Sequence, residues 1–231
     1  MKRAWLLLII LGIAQFGCGL TGEVSSVDEQ RQVLPETIAS GDAIAVVGIG
    51  FVMEDTLNCI DTGLRDRLFG VPVIAPHEFR DKLFPWFEPN IAPEDTESLS
   101  KLMLQSKVKQ RIDDLHVRYV VTIKGQTSVL PESHWGGVFG GAPAGGVIIG
   151  GVDWEETTDL TAGILDMKQI RHVGQIRAVG KGVTAGGIIV LLPYAYSVSS
   201  LKAACKTIVE RVVAYVTGKP QAPLQAEPRL E

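Results

Sequence analysis

The 231-residue chain is poor in the groups that most enzymes and nucleic-acid binders need. It has four histidines, and these stand apart at 77, 116, 134 and 172, so no metal-ligand spacing is formed. His77-Glu78 begins a metalloprotease-like pair, but Asp81 occupies the position one helical turn on, where the second histidine is needed. No Gly-x-Ser-x-Gly elbow is present, and neither Cys59 nor Cys205 has a neighbouring base in sequence. Charge runs are also missing, and the formal net charge is −4, which leaves no basic footprint for nucleic acid. Two glycine motifs fail in detail. In "VVGIGFVM" Met53 takes the place of the third glycine of a dinucleotide fingerprint, and in "GQIRAVGKG" Gly182 replaces the hydroxyl residue that follows the lysine of a phosphate loop. No catalytic residue, cofactor, metal or nucleotide is therefore expected. An enzyme acting on an envelope polymer would need carboxylates to meet in space near Glu78 or Asp153.

The informative stretch is the start. Lys2 and Arg3 precede an apolar run from Trp5 to Ala14, which is too short to span a bilayer and has the form of a signal-peptide core. A small residue, Gly17, then stands directly before Cys18. This looks like the lipobox of bacterial lipoproteins, which implies cleavage after residue 17, diacylglycerol on the Cys18 thiol and an acyl chain on its freed amine. Several acyl chains at ~0.8 kcal/mol per buried methylene make such an anchor effectively permanent. Gly19 is not the aspartate that holds such proteins in the inner membrane, so the resemblance implies the periplasmic face of the outer membrane. The alternative is an ordinary secreted protein with a cysteine at that place. In an oxidising compartment the remaining Cys59 and Cys205 form a disulfide or stay as two buried thiols, and both readings stand open.

The rest reads as a signal peptide (1–17), a lipidated tether (18–40), a single α/β domain (41–218) with a glycine-rich insertion at 136–151, and a disordered tail (219–231). Runs 42–50, 71–75 and 117–125 are short, apolar and β-branched, as buried strands are. Between them, Met53, Leu57, Ile60, Leu64 and Leu68 recur at helical spacing, Pro76 opens a short helix, and a longer helix is predicted over 94–115. Strand, helix, strand, helix, strand makes two parallel crossovers. An antiparallel hairpin over 155–167 and 170–181 and a final helix over 199–217 complete an α/β (α+β) mixed sheet with helices packed mainly on one face.

The order "IAVVGI", long helix, "VPVIAP", helical segment, "VRYVVTIKGQT", glycine-rich insertion and hairpin resembles the bacterial envelope lipoproteins related to the curli-export channel lipoprotein and the amino-terminal α/β domain of TolB. The resemblance covers roughly residues 42–217. It implies a non-enzymatic component of an envelope or export complex, bound to the membrane through Cys18 and to envelope proteins or copies of itself, with an oligomeric export-channel subunit as the alternative.

One composition remains unexplained by a domain core. Residues 136–151 hold eight glycines, and 182–198 mix glycine with apolar residues. Val147, Ile148 and Ile149, together with Ile188 and Ile189, are too apolar for a bare loop. They either fold back over the sheet's open face or form a surface presented to a partner, to like subunits or to a bilayer.

Overall fold

The computed structural model of the chain describes residues 22–32, 36–88, 92–132, 149–189, 192–197 and 199–219. The run AIAVVG forms strand β2 (Ala43–Gly48), with Ala43 to Val47 all buried. Helix α1 (Glu54–Arg67) follows and turns Thr56, Ile60 and Leu64 onto the sheet. Glu54 and Asp55 at its start and Arg65 and Arg67 in its last turn complement the helix dipole. It leads to the two-residue strand β3 (Val73–Ile74), parallel to β2 through Ile44↔Val73.

The second crossover runs through α2 (Pro76–Lys82), α3 (Thr96–Met103) and α4 (Ser106–Asp114) into β4 (Val117–Glu132), which is also parallel to β2. The single helix predicted over 94–115 is broken at Leu104–Gln105. Leu99 and Met103 are one turn apart, as are Val108 and Ile112, but Met103 to Val108 is five residues, about 500° of helix, which throws the two pairs roughly 140° out of phase. Breaking the helix lets both pairs face the sheet. Asp95 caps the start of α3, its carboxylate accepting from the Ser98 N–H at 2.6 Å.

The second half is antiparallel. Strands β5 (Ile149–Asp166) and β6 (Arg171–Ile189) form a hairpin, β7 (Leu192–Ser197) returns along β6, and helix α5 (Ser200–Val216) closes the fold. With strand β1 formed by Glu23–Arg31, the sheet order is β1-β6-β5-β4-β2-β3, and β7 is also paired to β6. Strand β1 (Glu23–Arg31) lies inside the stretch read as a tether and pairs with β6 from Glu23↔Lys181 to Arg31↔Gly174. A bulge between Val24 and Ser26 shifts its half-buried residues from an even to an odd phase, which hides the strand's period from the sequence.

The helices occupy both faces, where the sequence predicts mainly one. Helices α1 and α5 cover the face of Ile44, Val46, Val121, Leu160 and Ile176. Helices α2 to α4 cover the opposite face of β2 and β4, where Ala45, Val47 and Val120 meet Phe79, Leu99 and Ile112. A strand as uniformly apolar as β2 needs cover on both sides. Gly218 (φ 65°) ends α5 in the left-handed conformation, and the predicted tail beyond residue 219 lies outside the described residues. Among the described residues, no helix is long and apolar enough to cross a membrane.

Candidate functional site

Three strands continue well past the cores. The apolar clusters reach Ile123 on β4, Leu160 on β5 and Ala178 on β6. Beyond the row Ser128–Thr157–Lys181, pairing runs on without interruption: β4 with β5 to Glu132↔Asp153, β5 with β6 to Ile149↔Ile189, and β6 with β7 from Thr184↔Ser197 to Ile189↔Leu192. The result is a four-stranded antiparallel extension in the order β4-β5-β6-β7. At ~3.4 Å per residue, Gly182 to Ile189 alone carries the sheet about 24 Å further.

The root of the extension is tied down by short polar links and close backbone approach. Ser200, the first residue of α5, bonds Thr158 at 2.6 Å and donates to Glu156 Oε1 at 2.8 Å, and Thr127 bonds Thr158 at 2.9 Å. Ser199 caps α5, its hydroxyl accepting from the Lys202 N–H at 3.3 Å. A Cβ at Gly180 would lie 2.2 Å from the Ser200 carbonyl oxygen, so only glycine lets the start of α5 rest on β6. Gly22 is held in the same way, since its Cβ would meet the Ser199 carbonyl oxygen at 2.6 Å and that of Lys181 at 3.0 Å. Lys181 and Glu155 form an ion pair at 3.6 Å across β6 and β5.

On the face left open by α2 to α4, a shallow cleft of about 510 Å³ is floored by Lys124, Gln126, Asp159, Thr161, Gln175 and Arg177 and rimmed by Ile49, Phe51 and Glu94. Arg177 grips Asp159 in a two-pronged ion pair, Nε to Oδ1 at 3.0 Å and Nη2 to Oδ2 at 2.5 Å, and this bonding raises the arginine's pKa. The floor is polar because it is the solvent-facing side of an antiparallel sheet.

The sequence-predicted site residues divide into three groups. Cys18, Val147 and Ile148 lie outside the described residues. Ile149, Ile188 and Ile189 come together by register, with Ile149 opposite Ile189 and Gly150 opposite Ile188, so the two glycine-rich stretches lie side by side as strands. The described parts of those stretches continue the strands outward and do not fold back over the open face. Cys59 on α1 and Cys205 on α5 form a disulfide with Cα atoms 6.4 Å apart, which settles the choice between a bridge and two thiols. Among the described residues, no group of three or more His, Cys, Asp or Glu is placed to hold a metal ion.

The sequence reading missed a buried ion pair at the far end of the sheet. Arg118 has 1% of its side chain exposed and binds both oxygens of Asp166, while its Nη2 also donates to Glu36 at 3.0 Å. Tyr119 donates to the Glu36 carbonyl at 2.5 Å, and Asp166 further accepts the Lys168 N–H at 2.9 Å. Nothing in "VRYVV" or "ILDMKQ" marks the pairing, because the partners are 48 residues apart and meet only through the β4–β5 register Tyr119↔Asp166. Nearby, burial pushes the Tyr215 hydroxyl up to about 12, and it donates to the Val173 carbonyl at 2.7 Å.

No family model matches the chain, and no curated protein matches it. Among solved structures it is similar to the PelC dodecamer of Paraburkholderia phytofirmans. A single-substitution variant of that protein aligns at 14% identity and a TM-score of 0.38, over 85% of this chain and 99% of that one. A second crystal form aligns at 15% identity and a TM-score of 0.35, over 83% of this chain and 96% of that one.

Proposed function

We propose that the chain is an outer-membrane lipoprotein, anchored through Cys18 on the periplasmic face, that serves as a non-enzymatic assembly component of a bacterial envelope or export complex. The observation that carries this reading is the extension. Four paired strands continue past the helix-covered body, and among the described residues no helix packs on their outer part; a sheet without a covering layer gains little stability alone. Such a surface suits envelope proteins or further copies of this chain. The four-stranded order β4-β5-β6-β7 favours one specific version, an oligomeric export-channel subunit, because antiparallel strands contributed by each copy can join edge to edge.

Two measurements test the reading. Cys18→Ser removes the only thiol outside the disulfide, so the variant is expected to leave the detergent phase and to lose processing after residue 17. Wild-type protein that stays in the aqueous phase with another N-terminus would overturn the anchor. The mass of detergent-extracted protein is expected to exceed one chain, or to include an envelope protein; a clean monomer would overturn the assembly role.

A further inference from the structure

We infer that the groove between α1 and α5 is a thiol–disulfide exchange site, where the dithiol of a partner oxidoreductase opens or closes the Cys59–Cys205 bridge by way of Cys59, with Cys205 as the resolving sulfur beneath it. The inference shares with the reading above an exported chain, and it needs neither the lipid nor the extension.

The two sulfurs are unequal in access. Cys205 is 2% exposed and belongs to the buried cluster, whereas Cys59 is half-buried at the edge of that cluster. The bridge lies along a groove of about 560 Å³ whose lining, among the described residues, comes entirely from the two helices. Asp55, Asn58 and Thr62 stand on one wall and Lys202 and Lys206 on the other, all five exposed. The groove is pinched one turn further on. Gly63 and Val209 follow Cys59 and Cys205 by four residues each, and a Cβ at Gly63 would lie 2.8 Å from a Val209 methyl, so only glycine lets the helices come so near. The Arg67–Glu210 ion pair at 3.0 Å ties them beyond that point. On the other side of the bridge the groove runs out toward the helix starts, past Asp55 and Lys202.

Exchange is an in-line displacement at sulfur, so the attacking thiolate must approach from the side away from the leaving sulfur. A thiolate entering the groove meets Cys59 Sγ, and the same approach to Cys205 would pass through the buried cluster. In opening, the partner's thiolate forms an S–S bond to Cys59, the Cys59–Cys205 bond breaks, and Cys205 leaves as a thiolate and takes a proton. The partner's second thiol then gives up its proton, attacks the partner's own sulfur in the mixed disulfide and releases the Cys59 thiolate, which is protonated in turn. Two electrons and two protons have passed to this chain, and the partner's dithiol has become a disulfide. Closing is the reverse, with an oxidised partner accepting them. The cysteines are 146 residues apart in sequence, so Cys205 reaches Cys59 only once α5 has docked. A groove that leaves Cys59 accessible in the folded state is what such late closure by an external catalyst needs.

The test mixes oxidised wild-type protein with reduced thioredoxin whose second active-site cysteine is replaced by serine, which halts exchange at the mixed disulfide. The native protein is expected to form that adduct, and peptide mass mapping is expected to place it on Cys59 over Cys205 by about ten-fold or more. Attachment to Cys205 in equal or greater amount, or no adduct until denaturant is added, would overturn the inference. Free thiols allow the same comparison. Iodoacetamide should alkylate Cys59 in Cys205→Ser about ten-fold faster than Cys205 in Cys59→Ser, in variants that circular dichroism shows to be folded, and equal rates would overturn it. The wild-type experiment stands whether or not these variants fold. Thr62→Trp fills the groove from an exposed position. It is expected to slow mixed-disulfide formation several-fold with the unfolding midpoint unchanged, and an unchanged rate would overturn the groove as the route. The same maps keep this inference apart from the lipid anchor, because Cys18 alkylated by iodoacetamide sinks the anchor alone.

Discussion

Strands β4, β5 and β6 pass through two regimes along one continuous ladder of hydrogen bonds. In the body, up to Ile123, Leu160 and Ala178, their apolar residues are buried under α1 and α5. In the extension, past Ser128, Thr157 and Lys181, the same pairing carries glycine-rich chain such as IGG at 149–151 and AGG at 185–187. Backbone pairing thus propagates where core packing has stopped. Pairing satisfies backbone polar groups, but the stability of the fold comes from apolar burial, and among the described residues the buried clusters lie in the body. Changes in the body should therefore act on folding, and changes in the extension should act on what the protein binds.

The largest expected effect on folding is at Arg118. Arg118→Ala leaves Asp166 buried without its counter-charge, and removing one partner of a buried pair costs about 3–5 kcal/mol. Denaturant unfolding should show this as a lower midpoint, and a loss below about 1 kcal/mol would mean the pair is solvated. The disulfide comes next. It joins α1 to α5 across 146 residues of sequence, and Cys59→Ser with Cys205→Ser is expected to cost about 2–5 kcal/mol. Both thiols alkylating freely in denatured, unreduced protein would show that the bridge does not form.

A smaller, pH-dependent effect belongs to His172, whose pKa burial lowers from the ordinary 6.5. The folded state then binds protons less readily than the unfolded chain, so stability is full above about pH 6.5 and declines as pH falls through the folded value. His172→Gln should flatten that decline, and an unchanged profile would assign it to other groups. The smallest effect on folding is expected at the tip. Ile149→Asp and Ile189→Asp, which face each other in register, should shift the unfolding midpoint by no more than about 0.5 kcal/mol while abolishing higher oligomers or co-purifying partners. Loss of folded protein in both variants would erase the distinction between body and extension.

Much of the body was legible. The runs at 42–50, 71–75 and 117–125 correspond to β2, β3 and β4, the two crossovers are parallel, and α5 starts and ends at its caps, Ser199 and the glycine after Thr217. Those elements announce themselves because burial imposes a period on the sequence. The extension has no such period, its strands being rich in glycine, and strand ends predicted near 125, 155 and 181 fall at 132, 149 and 189. Strand β1 was illegible for a different reason: its bulge breaks the alternation, and Glu23, Asp28, Glu29 and Arg31 give it the composition of a linker.

The sequence by itself determined the local matters: the central strand β2, the amphipathic helices, a serine cap at Ser199 or Ser200, and a lipobox-like Gly17-Cys18 before the domain. These depend on neighbours along the chain and on the apolar spacing that burial selects. Only the tertiary structure decided that Cys59 meets Cys205, that Arg118 meets Asp166, that helices cover both faces of β2, and that Gly22 is clamped at the root of an extension. Each of those depends on strand register and helix placement across tens of residues, and a period-two pattern interrupted by glycine and a bulge carries too little information to fix either.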